Sequence, residues 1–135
     1  MSPLAGFALS FGLTLALLGA VVVTGKKAIV KVHIVCVVIT LGSLAWTIYE
    51  AFQLGKIYDI QSAGIITPIH LSLAKLTTLA YVLPLITGVC TLFNRKHRSL
   101  HKKFAYIVLA LTVVTAVTGV TMILLSNPMG PGMNR

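Results

Sequence analysis

Four apolar stretches fill this chain almost from end to end: Leu4 to Thr24, Ala28 to Leu54, Thr67 to Phe93 and Phe104 to Leu125. A membrane-spanning helix needs about 20 such residues, and in lipid each segment must satisfy its own backbone hydrogen bonds. Both conditions point to an all-α membrane protein, a four-transmembrane-helix bundle forming a single domain over residues 1–135 with helices at about those bounds. Hydrophobic residues make up 57% of the chain and charged ones 10%, and the mean hydropathy is +0.97. Soluble domains carry about a quarter charged residues. The first stretch has no positive residue ahead of it, is too long for a signal h-region and is followed by Lys26 and Lys27, so it is kept as a helix.

Positive charge sets the expected orientation, because Lys and Arg in short loops stay cytoplasmic. Lys26, Lys27 and Lys31 lie between the first two helices, and Arg95, Lys96, Arg98, Lys102 and Lys103 between the last two. Lys56 and Arg135 are the only cations of the opposite side, with Lys75 inside the third helix. Both termini are then expected on the non-cytoplasmic side, in a prokaryotic cytoplasmic membrane. The net charge of +9 is topology and contact with anionic membrane lipid, not nucleic-acid binding.

Helical phase adds a second layer. His33, Cys36, Thr40, Ser43, Thr47 and Glu50 alternate in steps of three and four along one stripe of the second helix. His70, Ala74, Thr77, Tyr81, Pro84, Gly88 and Thr91 do the same in the third, and His101, Ala105, Thr112, Thr115, Gly119, Met122 and Ser126 hold the same stripe in the fourth, with a step of two turns from Ala105 to Thr112. Polar and small residues pack inward in a bundle. The first helix has a ridge of Ala8, Gly12, Ala16 and Gly19 and reads as a packing helix. No internal repeat stands out. The loop Gly55 to Ile66 has room for local structure, and the Pro/Gly-rich tail from Asn127 to Arg135 is expected to be irregular.

Depth decides which histidines can share a ligand. Successive helices run in opposite directions, so His33 and His101 belong to the cytoplasmic level and His70 to the outer one. A b-type haem held between the second and fourth helices, with His33 and His101 as axial ligands, is the sharpest expectation. Ala105, four residues beyond His101, leaves room for a porphyrin face, and Lys31, Arg98, Lys102 and Lys103 suit its propionates. His97 is the substitute ligand if the fourth helix begins earlier.

The run IHLSLAKLTTLAYVLPLITGVCTLFNRKHRSLHKKFAYIVLALTVVTAVTGV, preceded by a helix that begins KVHIV, resembles the core of the cytochrome b561 superfamily. In that family a histidine opens each of four core helices, two b-type haems are held by alternate helices, and electrons cross the membrane between them. The resemblance implies the same role for His33, His70 and His101, with RKHRSLHKKFA similar to the family's histidine-rich approach to its third core helix. It extends from Lys31 to Leu125 and matches three of the four histidine helices, so His70 lacks the partner that a second haem would need.

For His70 several roles stay open: a haem with Met122 as second ligand, a ligand from another subunit, a quinol hydrogen bond, or a satisfied core histidine. Glu50 and Lys75 are intramembrane ionisable groups that could pair or flank a quinone, and Trp46, Tyr49 and Tyr58 suit an interfacial belt. Cys36 and Cys90 read as free thiols. No CxxC, clustered carboxylates, Ser/His/Asp set or phosphate-binding glycine loop occurs, which excludes hydrolase and kinase chemistry. The expectation is therefore an electron carrier, between quinol and a partner redox subunit, and not a stand-alone enzyme. Its competitor is a cofactor-free accessory subunit of a larger membrane complex.

Overall fold

The computed structural model describes residues 2–129. Five α-helices carry the chain: α1 (Pro3–Lys26), α2 (Val30–Leu54), α3 (Ile66–Ala80), α4 (Val82–Phe93) and α5 (Arg98–Leu125). With α3 and α4 taken as one span, four helices among the described residues are long and apolar enough to cross a membrane. Two compact units result, one built on α1 and α2, the other running from Asp59 to Pro128.

In the first unit, Ser2 caps α1 by accepting from the Ala5 N–H at 3.3 Å, and Pro3 occupies the first turn, where its missing N–H costs nothing. The chain reverses after Lys27 through Ala28, whose φ of 57° is left-handed. Ala28 therefore stands outside the second helix, which begins two residues later than the apolar stretch. The face of α1 turned toward α2 is Gly6, Ser10 and Thr14, all buried. The ridge of Ala8, Gly12, Ala16 and Gly19 lies exposed instead, a correction with a physical reason. Hydroxyls need partners in an apolar environment more than small side chains need neighbours. Thr14 Oγ1 meets Ser43 Oγ at 2.7 Å and Thr47 Oγ1 at 3.0 Å on α2.

In the second unit, the Asp59 carboxylate accepts from the Gln61 N–H and opens a 3₁₀ turn, Ile60–Ala63. Gly64 closes it at φ 70°, a conformation that favours glycine. The Thr67 hydroxyl then donates to the Ile60 carbonyl. The third span is not one helix: it breaks at Tyr81, between α3 and α4. Pro84 is the cause, because it has no N–H for the Ala80 carbonyl and its ring crowds that oxygen. The last helix starts at Arg98, six residues before the apolar run, after a 3₁₀ turn over Arg95–His97 where Asn94 accepts from the Lys96 N–H. The two-residue strands Tyr58–Asp59 and Asn127–Pro128 pair, so the start of the tail is ordered. Residues 130–135 lie outside the described residues.

The burial pattern is inverted relative to a water-soluble core. Among the described residues the buried large hydrophobics are Leu54, Val108 and Met122, whereas ten serines and threonines are buried. Phe93, Ile65, Leu79 and Phe52 are more than two-thirds exposed. Such an apolar exterior suits lipid, and the hydroxyls satisfy one another or the helix carbonyl one turn back.

Candidate imidazole site

Three of the four histidines sit in one repeated arrangement. Each lies at the start of its helix, with its ring against a glycine of the helix it packs on and its Nδ1 bonded just before that glycine.

His33, in the first turn of α2, places Nδ1 3.1 Å from the Val21 carbonyl oxygen and 3.2 Å from Thr24 Oγ1 on α1. A methyl added at Gly25 would stand 3.2 Å from its Cε1. His101, in the first turn of α5, places Nδ1 3.0 Å from the Pro84 carbonyl oxygen and 3.4 Å from Thr87 Oγ1 on α4, and a methyl at Gly88 would stand 3.3 Å from its Cε1. His70, near the start of α3, places Nδ1 3.1 Å from Thr118 Oγ1 on α5, with a backbone hydrogen bond to Thr115 beside it. There a methyl at Gly119 would stand only 2.8 Å from Cε1.

The supporting residues fall at i, i+3 and i+4 each time: Val21, Thr24 and Gly25; Pro84, Thr87 and Gly88; Thr115, Thr118 and Gly119. One turn of helix thus supplies a carbonyl, a hydroxyl and a gap where no Cβ intrudes. A carbonyl oxygen can only accept, so Nδ1 of His33 and of His101 carries the proton. In the neutral ring Nε2 is then the nitrogen with the lone pair. Metal-ligating histidines are held in this way, by the ring nitrogen that does not bind the metal.

Of the other expected site residues, Lys31, Arg98 and Lys102 are exposed at the helix starts beside the histidines. Ala105 is half-buried one turn beyond His101 on the same face of α5, and Met122 is buried one turn beyond Gly119. His97 is exposed in its 3₁₀ turn, apart from the arrangement that holds His101. Among the described residues no three of His, Cys, Asp and Glu gather where they could hold a metal ion. A haem asks less of the protein, two axial ligands, because the porphyrin supplies the rest.

Sequence reasoning put Pro84, Gly88, Thr115 and Gly119 on inward stripes but missed their part as supports, and it missed Val21, Thr24, Gly25, Thr87 and Thr118 altogether. The chain contains three Thr-Gly dipeptides, at 24–25, 87–88 and 118–119, and every one receives a histidine. That repeated two-residue word was the available signal. A fourth close approach to glycine has a different chemistry: Glu50 lies over Gly6, its Oε2 2.7 Å from where a methyl would stand, and its Oε1 accepts from Trp46 Nε1–H at 3.0 Å. No protein-family model matches the chain, and no curated protein or solved structure matches it either.

Proposed function

We propose that this is a b-type haem-binding integral membrane protein that passes electrons, and that His33 and His101 are the residues that would hold the haem iron. The observation that carries the reading is the Nδ1–H bond of each ring to a backbone carbonyl, at 3.1 Å and 3.0 Å. It fixes each ring against rotation and makes Nε2 the electron-pair donor, the chemistry an iron centre asks of imidazole. Bound haem would supply reversible one-electron chemistry. The chain's own part is to hold two neutral imidazoles, keep water away with an apolar exterior and place fixed positive charge near the ligands.

In this reading the basic segments around Lys26–Lys31 and Arg95–Lys103 face the cytoplasm and both termini face outward. Lys31, Arg98 and Lys102 would pair with propionates, Ala105 would leave room beside the porphyrin, and the haem would carry electrons between a quinol and a partner redox subunit. His70 is left over from this pair and is the residue on which a second haem would depend.

A second reading has its own support. The exposed ridge of Ala8, Gly12, Ala16 and Gly19 on α1 suits close approach of another helix, as a subunit of a larger complex would need. One experiment separates the two: the full chain and its His33→Ala and His101→Ala variants are expressed with ample haem, and haem per polypeptide is measured. The electron-carrier reading expects haem in the parent chain and its loss in both variants. Equal haem in all three removes the ligand assignment, and a colourless parent chain leaves the accessory subunit.

A further inference from the structure

The three Thr-Gly pairs resemble one another more closely than general helix packing requires. In each, the threonine hydroxyl donates to a carbonyl of its own helix: Thr24 to Ala20 at 2.8 Å, Thr87 to Leu83 at 2.7 Å, and Thr118 to Val114 at 3.0 Å. A hydroxyl has one proton. With that proton turned to the backbone, the oxygen offers only lone pairs to the histidine beside it, and the histidine must be the donor. Threonine back-bonding alone does not mark the device, since Thr78 and Thr121 make the same bond on exposed faces. Glycine alone does not mark it either: a methyl at Gly12, Gly19 or Gly42 would meet nothing within 4 Å, and none of these three follows a threonine. Only the two together receive an imidazole.

We infer that Thr24, Thr87 and Thr118, each with the glycine that follows, are positioning residues that keep the ring proton of His33, His101 and His70 on Nδ1 and present Nε2 as an electron-pair donor. A backbone carbonyl shares this task at all three rings, from Val21 at His33, Pro84 at His101 and Thr115 at His70. For His70 the Thr118 hydroxyl is the closer determinant, and it turns His70 from core filler into a third imidazole prepared for a ligand. Such a nitrogen takes a metal centre or the hydroxyl proton of a bound molecule, and it cannot donate to a carbonyl. The haem reading enters only in what His33 and His101 are presented to.

The test uses the full chain, free of haem, in detergent micelles with ¹⁵N-labelled histidine, at a pH about two units above the ordinary imidazole value so that all rings are neutral. His97 is exposed and serves as the internal reference, because a neutral imidazole in water favours the proton on Nε2. The expected spectrum has His33, His70 and His101 with a protonated Nδ1 and a bare-nitrogen shift at Nε2, opposite to His97. Thr118→Val moves the His70 pair toward the His97 pattern, and Thr118→Ser restores it. A parent chain in which any of the three rings carries its proton on Nε2 overturns the inference. So does an unchanged His70 pattern in Thr118→Val. A chain that binds no haem and still shows the three Nδ1–H rings upholds the inference while the haem reading falls.

Discussion

Replacing Gly119 by alanine sets two opposed effects against each other, and the structure decides between them. Glycine within a helix is less favourable than alanine by about 0.5–1 kcal/mol, so the substitution starts with a gain of that size. Against it stands overpacking, which costs about 1–3 kcal/mol when a methyl is forced into a filled space. At Gly119 that methyl would lie 2.8 Å from His70 Cε1 and 3.3 Å from Nδ1, whereas unstrained carbon contacts begin at about 3.5 Å. The ring cannot simply swing away, because Nδ1 is tied to Thr118 on the same turn of α5. Overpacking therefore prevails, for a net loss of about 1–2 kcal/mol. Gly88→Ala, with its methyl 3.3 Å from His101 Cε1, falls near balance. Gly12→Ala and Gly19→Ala meet open space and keep the helix gain, up to about 1 kcal/mol. Reversible unfolding of the full chain in mixed micelles, titrated with SDS, reads the order directly. Gly119→Ala as stable as Gly12→Ala would refute the reasoning, since the ring would then not be pinned.

Other consequences follow from the first unit. Thr14→Val removes the hydroxyl that joins α1 to Ser43 and Thr47 while keeping its volume; at about 0.6 kcal/mol for an average hydrogen bond between membrane helices, the two bonds predict a loss of about 1 kcal/mol in the same unfolding titration. An unchanged midpoint would show that the hydroxyl cluster does not hold the pair. Trp46 is the one tryptophan, and its indole N–H rests on Glu50. Glu50→Leu is expected to shift its fluorescence to the blue, and Gly6→Ala, which displaces the carboxylate, to shift it the same way. Emission unchanged in both variants would mean that the bond does not persist in solution.

The parts of the fold legible in the sequence are those where chemistry and period agree. The stripe through Thr40, Ser43 and Thr47 is the buried face of α2, as its steps of three and four indicate. On α1 the period offers two stripes, one small and one hydroxylic, and residue size chooses wrongly where hydrogen-bond demand chooses rightly. Hydropathy places the start of the last helix at Phe104 because charges precede it. A helix does not end where its residues turn polar, and α5 runs back through Lys102 and Lys103 to Arg98. The break at Tyr81 is encoded three residues downstream, in a proline within an otherwise uninterrupted apolar run. For the site, the three histidines stand out because imidazole is rare in such a chain. Their supports do not, because threonine and glycine are ordinary in membrane helices and gain meaning only when another helix lays a ring on them.

The central claim is met most directly by the reduced-minus-oxidised optical spectrum of the purified full chain, produced with ample haem and quantified against polypeptide. The account predicts one b-type haem per chain, with the Soret and α bands of a six-coordinate low-spin iron that sharpen on reduction with dithionite. A folded chain that remains colourless, or a five-coordinate spectrum unaffected by loss of His33 or His101, would contradict it.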